Sequence, residues 1–168
     1  MKPLPTGITG FSSSKVPQEP AIAYPEFKQH LYTAAQLSQC TVRSCHNVLL
    51  VENYYLAILE DRSGKFQLLC NFVSAYIAFC QVDERESPGE KLSLSGMPQT
   101  LRASFSYLEK PALANALQTL FHYNVLLPDD LNQFPEEHLL TQLSAFEINQ
   151  IGHWQPQTIG EVVFNHWD

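Results

Sequence analysis

A chain of 168 residues, 45% of them hydrophobic and 16% charged, is long and apolar enough to bury one core, which excludes a disordered polymer. The densest apolar stretch, residues 75–80, is far shorter than the roughly 18 residues that span a membrane. No apolar export signal follows Met1 and Lys2. We therefore expect a cytoplasmic protein without a membrane partner. All ten lysines and arginines lie in the first 110 residues, whereas the last 58 carry seven acids, and this negative charge excludes nucleic acid as the expected partner.

Residues 1–25 are predicted to form a proline-rich arm, because five prolines restrict the backbone and remove amide donors. Apolar side chains within it, such as Leu4 and Ile8, indicate that the arm lies against the body of the protein. Residues 26–39 are predicted to form the first helix, since Pro25 suits an opening turn and an apolar stripe follows at helical spacing.

The segment 41–82 has the pattern of consecutive strands. β-branched and aromatic residues mark 48–51 and 54–60, and residues 61–64 have the turn chemistry of a hairpin. Residues 75–82 form a further strand with two apolar faces. That strand is therefore expected to be central in the sheet or covered on both sides.

Residues 83–99 are polar and interrupted by proline and glycine, which predicts a long connecting loop. Residues 101–107 alternate apolar and polar side chains, the pattern of a strand with one buried face. A second helix is predicted to open at Pro111 and to run to about Phe121, with Asn124 as its left-handed stop.

A third helix is predicted from Pro135 to about Ile151, and a short strand over 158–164. The strands are clustered rather than alternating with helices, which is typical of an α+β fold. We predict an antiparallel sheet of about five to six strands with three helices packed mainly on one face. The arm, 1–25, would precede a single domain of residues 26–168.

Signatures of hydrolases and nucleotide-binding proteins are missing from the sequence. Its seven glycines never form a phosphate-binding loop. Cys40, Cys45 and His46 supply three metal ligands at most, whereas a structural zinc site needs four, so we interpret them as the end of a helix and the start of a strand. Four cysteines are too few for a disulfide scaffold, and thiols are expected. No cofactor is expected.

The first candidate site lies in the acidic C-terminal third. Asp129, Asp130, Glu136 and Glu137 stand in a region without any lysine or arginine, so a basic protein would be attracted to them. We predict a non-catalytic protein-binding module, such as an inhibitor, an immunity-type protein or an adaptor. The same charge is also explained by a simple gain in solubility.

The second candidate site lies at the C-terminal end. His153 precedes Trp154, and His166 precedes Trp167, so pairing of the two segments would create an aromatic-lined polar pocket near Asp168. The alternative function is therefore a small-molecule-binding or metal-binding protein, an enzyme included. The competing interpretation assigns both tryptophans to packing.

The opening Leu-Pro-Thr-Gly-Ile-Thr-Gly-Phe (4–11) and the ending Trp-Gln-Pro-Gln-Thr-Ile-Gly-Glu-Val-Val-Phe-Asn-His-Trp-Asp (154–168) resemble small uncharacterised bacterial proteins, cyanobacterial ones among them. The resemblance implies a bacterial protein and carries no function, so no site residue follows from it. Because the ending is apolar almost to its last residue, we expect the tail to be docked rather than presented to a partner.

Overall fold

The computed structural model describes residues 1–10, 20–47, 52–82 and 105–167. The elements within these residues are, in chain order, α1 (Tyr24–Leu37), β1 (Thr41–Asn47), β2 (Tyr54–Asp61), β3 (Gly64–Asn71), β4 (Tyr76–Gln81), β5 (Tyr107–Leu108), α2 (Pro111–Phe121), β6 (Asn124–Val125), α3 (Pro128–Leu131), α4 (Glu137–Leu140), α5 (Ala145–Trp154) and α6 (Ile159–Val163). No helix in this part of the chain has the length and apolar character required to cross a bilayer.

One sheet contains all the described strands. β1 to β5 are antiparallel neighbours in sequence order, and β6 pairs with β4 as a short parallel strand. The β2–β3 hairpin turns where Asp61 pairs with Gly64, and the Asp61 carboxylate accepts a hydrogen bond from the Ser63 backbone N–H at 2.8 Å. The predicted α+β class, the antiparallel sheet of five to six strands and this hairpin are confirmed.

Helices α1 and α2 cover one face of the sheet. Phe27 and Leu31 of α1 and Leu113 of α2 are buried there against the inward residues of β2, β3 and β4. α1 has the apolar stripe that the sequence predicted, and its Pro25 occupies the first turn. α2 has the predicted bounds, Pro111–Phe121.

The opposite face is covered by residues 1–10 and by the shorter helices near the C-terminus. Leu4 and Ile8 are fully buried in this second cluster, together with Leu131 of α3, Leu139 of α4 and Val162 of α6. Both faces of the sheet are thus covered, and α1 and α2, two of the three longer helices, lie on the same face. The reason is visible in the strands, because a strand with two apolar faces needs two covering layers.

β4 shows this double burial most clearly. Ile77 and Phe79 belong to the cluster under α1 and α2, whereas Ala78 and Cys80 belong to the cluster on the other face. All four residues are buried, so the expectation of a strand covered on both sides is confirmed.

The predicted third helix, from Pro135 to Ile151, is divided into α4 and α5. A new helix begins at Ala145 because the side chain of Ser144 accepts a hydrogen bond from the Glu147 N–H, while the Glu147 carboxylate accepts one from the Ser144 N–H. This reciprocal capping fixes a helix start in the middle of the predicted span.

The strand predicted over 158–164 is wrong, because these residues form α6. Its β-branched sequence favours a strand, but the Thr158 hydroxyl accepts a hydrogen bond from the Glu161 N–H at 3.2 Å and caps a helix. The residue that ends α2 in the left-handed backbone conformation was also predicted at the wrong position. His122 has this conformation, with φ 59°, whereas Asn124 lies in β6.

Three predictions concern residues outside the described part of the chain. These are the strand at 48–51, the loop at 83–99 and the first four residues of the strand at 101–107. Within the last of these, Tyr107 does lie in a strand, β5, which pairs with β4.

Candidate functional site

The four acids of the first candidate site lie on α3 and at the start of α4, and we call them the acidic surface. Asp129, Glu136 and Glu137 are exposed, and Asp130 is partly exposed. Asp130 lies 4.0 Å from the N-terminal amino group, and Glu136 lies 3.3 Å from His138 Nδ1. Among the described residues, none of the four forms an ion pair with a lysine or an arginine.

Two of the described cations pair with acids elsewhere in the fold. Arg43 donates to Glu60 at 2.7 Å across β1 and β2, and Lys110 donates to Asp61 at 2.7 Å. Both pairs join residues of the first 110. For these two pairs the separation of charge along the sequence persists in space, whereas the N-terminal amino group lies beside Asp130 of the acidic surface.

The loop between α3 and α4 presents an exposed aromatic side chain beside the acids. Phe134 is 62% exposed, although Leu131 and Leu139 on either side of it are buried. The carbonyl of its neighbour Gln133 accepts a hydrogen bond from the Ile159 N–H at 2.8 Å, which fixes the loop to α6. Sequence reasoning missed Phe134, because an isolated aromatic residue gives no indication of its exposure.

A cavity of about 230 Å³ lies between α2, β5 and residues 125–127, and we call it the α2–β5 cavity. Phe79 and Leu108 contribute apolar surface, and Asn115 and Gln118 contribute polar groups. α3 packs beside β5 and follows directly after Leu127, which lines the cavity. The cavity therefore adjoins the helix that carries two of the four acids.

Lys110 also lines this cavity, but its charge is already neutralised. Its Nζ donates to Asp61 and to the Ser63 hydroxyl, each at 2.7 Å, and lies 4.2 Å from the centre of the Phe66 ring. Burial raises the pKa of Asp61, but the hydrogen bonds from Lys110 and Ser63 outweigh burial and lower the pKa to about 2. The resulting ion pair joins the β2–β3 turn to the start of α2.

The two tryptophans of the second candidate site are brought together. The rings of Trp154 and Trp167 are stacked, with centroids 6.5 Å apart and planes within 6°. His153 lies edge-on to Trp154 at 5.2 Å and is exposed, as is His166. Asp168 lies outside the described residues.

Packing accounts for much of this tryptophan pair. Trp167 is only 8% exposed and Phe164 is 2% exposed, so the tail is docked as far as residue 167. Within the described residues, no three histidine, cysteine or acidic side chains are close enough to hold a metal ion. This holds also for Cys40, Cys45 and His46.

Burial explains the chemistry of the two central cysteines. Cys70 and Cys80 are buried on opposite faces of the sheet, and desolvation raises the pKa of both thiols, that of Cys80 to about 12. Both therefore remain protonated at neutral pH and behave as small apolar side chains rather than nucleophiles.

A buried polar junction, which the sequence did not reveal, joins the two ends of the chain. Asn53 and Asn71, at the paired ends of β2 and β3, each donate to the carbonyl oxygens of Ile8 and Val163, at 2.7 to 2.9 Å. Asn165 donates to the carbonyl of Thr9 at 2.9 Å. The two terminal segments that share the resemblance to bacterial proteins thus meet at one place.

Glu147 is the buried acid of this region. It is 1% exposed, and its carboxylate accepts hydrogen bonds from Gly7, from Thr9 and from Ser144, at 2.9 to 3.4 Å. Although it belongs to the acidic third of the sequence, it holds the N-terminal segment to α5 and contributes nothing to an exposed surface. The Ser144-x-x-Glu147 spacing is the sequence pattern of a capping box, and the prediction of one continuous helix overlooked it.

The chain matches no family model, no curated protein and no solved structure. Its function is therefore inferred from its own structure. Three features adjoin α3: the acidic surface, Phe134 and the α2–β5 cavity.

Proposed function

We propose that this chain is a non-catalytic protein-binding module, such as an inhibitor, an immunity-type protein or an adaptor, which engages a basic protein through the acidic surface. The observation that carries the proposal is the exposure of Phe134 on a fixed loop between acids that have no lysine or arginine partner among the described residues. An apolar anchor with a charged rim is the usual composition of a protein interface.

The two parts of this surface have different physical roles. Carboxylates that have no lysine or arginine partner among the described residues attract a basic partner over a distance and raise the association rate, particularly at low salt. An exposed phenylalanine gains free energy when a partner removes it from water, and the backbone of its loop is joined to α6 through the Gln133 carbonyl.

The surroundings of the reactive side chains support binding rather than catalysis. Lys110 is committed to Asp61, and the Cys70 and Cys80 thiols are buried and protonated.

The test compares two variants of equal charge in affinity capture from an extract of the producing cells. Asp129→Asn with Glu137→Gln removes two charges from the acidic surface, and Glu26→Gln with Glu52→Gln removes two charges elsewhere, from an exposed and a partly exposed side chain. We expect the first variant to lose a basic protein that the wild type and the second variant retain at low salt. Equal capture by all three proteins would remove the proposal.

One observation favours a second candidate function, a small-molecule site at the tryptophan pair. Trp154 and Trp167 are stacked, and His153 lies edge-on to Trp154. Metal analysis of untagged protein, with melting temperatures measured across a metabolite and metal panel, tests this function. No bound ion and no ligand-induced rise would leave the tryptophans as packing residues.

A further inference from the structure

The α2–β5 cavity lies beside α3, the helix that carries Asp129 and Asp130. None of the four acids of the acidic surface lines the cavity. We infer that this cavity receives one apolar side chain of the basic partner, flanked in the partner by lysine or arginine. The inference rests on the proposed function and specifies the chemistry that the partner must present.

The size of the cavity points to a side chain rather than to a free small molecule. Ligand pockets usually measure roughly 300 to 1,000 Å³, and this one measures about 230 Å³. Its apolar surface, from Phe79, Leu108 and Leu126, would bury a branched aliphatic group. The amides of Asn115 and Gln118 lie at the same cavity and are suited to the backbone of an incoming segment.

The charge around the cavity selects a basic flank. Glu109 lines it, and Asp129 and Asp130 follow Leu127 within the first turn of α3. Lys110, the cation that lines the cavity, is neutralised by Asp61 and does not repel a lysine or an arginine. An apolar centre with cationic neighbours is therefore complementary to this site.

Leu127 connects the cavity with the rest of the proposed interface. It is 50% exposed, although it lines the cavity and forms the N-cap of α3. A partner side chain in the cavity would cover this leucine, and the surface thereby buried would continue towards the acids.

The experiment titrates three short peptides into the full chain and follows backbone amide resonances. One peptide has a central leucine flanked by lysines, the second has alanine in place of leucine, and the third has leucine flanked by glutamates. We expect the leucine–lysine peptide to bind about tenfold more tightly than the alanine–lysine peptide, the effect of burying one such side chain. The shifts should centre on Leu108, Ala114 and Leu127.

Two variants of α2 locate the effect. Ala114→Leu fills the cavity, whereas Ala112→Leu adds the same side chain at an exposed position of the same helix that does not line the cavity. The tenfold advantage of leucine should disappear in the first variant and persist in the second. If Ala114→Leu does not fold, the comparison of the three peptides on the wild-type protein tests whether the cavity receives an apolar side chain.

The remaining outcomes separate this inference from the proposed function. Equal binding of the leucine–lysine and alanine–lysine peptides, lost on Asp129→Asn with Glu137→Gln, would overturn the cavity inference and leave the proposed function in place. Binding of the lysine peptides that is no tighter than that of the glutamate peptide would overturn both.

Discussion

Two glutamates ten positions apart have different roles, because one is exposed and the other is buried among hydrogen-bond donors. Glu137 is exposed and belongs to the acidic surface, whereas Glu147 is buried and every group that contacts its carboxylate is a donor. We expect Glu147→Gln to lower the free energy of unfolding by about 2–4 kcal/mol, because the new amide places N–H groups against buried donors.

Urea unfolding of Glu147→Gln measures this loss, with Glu137→Gln as the matched control. The control should stay within about 0.5 kcal/mol of the wild type, as exposed substitutions usually do. Equal stability of the two variants would mean that the buried donors find other acceptors.

Two glycines differ in the space that the fold leaves for a Cβ atom. A Cβ atom at Gly160 would lie 2.7 Å from Cζ and 2.8 Å from Cε2 of the Tyr107 ring, whereas a Cβ at Gly152 meets nothing within 4 Å. We expect Gly160→Ala to destabilise the protein by about 1–3 kcal/mol through overpacking. Gly152→Ala, inside α5, should stabilise it by about 0.5–1 kcal/mol.

Thermal unfolding of both glycine variants tests these opposite signs. Combining Gly160→Ala with Tyr107→Ala provides the control, since removal of the ring should abolish the overpacking and make the double variant less destabilised than the sum of the two changes. Strict additivity would show that the ring is not the cause.

At the scale of elements, the Asp61–Lys110 ion pair connects the β2–β3 hairpin to α2. The pKa of Asp61 is lowered in the folded protein, so its contribution to stability is present at neutral pH and is lost as the pH falls from 3.8 towards about 2. The melting temperature of the wild type should therefore exceed that of Asp61→Asn at pH 7 and approach it in strong acid. A constant difference down to pH 2 would contradict this linkage.

The elements also show where local sequence patterns suffice. β4, the β2–β3 hairpin and α2 were predicted because periodicity and turn chemistry act over a few residues. α6 was mistaken for a strand, since three β-branched residues outweighed a capping threonine in the pattern. The division between α4 and α5 depends on Ser144, a single polar residue within an otherwise helical sequence.

At the scale of the whole molecule, the acids of the first candidate site were predictable, since charge is visible in the sequence. The cavity, the exposure of Phe134 and the identity of the helices that form the second covering layer were not, because they depend on contacts between distant segments. Asn53 and Asn165, for example, are 112 positions apart and still share a hydrogen bond of 3.0 Å. Uncharged asparagines carry no periodic or electrostatic signal of such a contact.

The junction of asparagines predicts that both ends of the chain open together. Asn71→Ala removes one donor to Ile8 and Val163 and leaves the partly buried N–H groups of Val73 and Ser74 without their acceptor. We expect hydrogen exchange of residues 1–10 and 160–167 to accelerate by the same factor, while the β1–β2 ladder remains protected.

Asn115→Ala, at an exposed position of α2, provides the control for this exchange experiment and should change neither terminal segment. Acceleration at one end alone would show that the two segments are held independently, because a shared anchor has to release both. Acceleration in every strand would instead indicate global unfolding. We therefore expect exchange to accelerate in both terminal segments and nowhere else, because one buried polar cluster joins both chain ends to the β2–β3 hairpin.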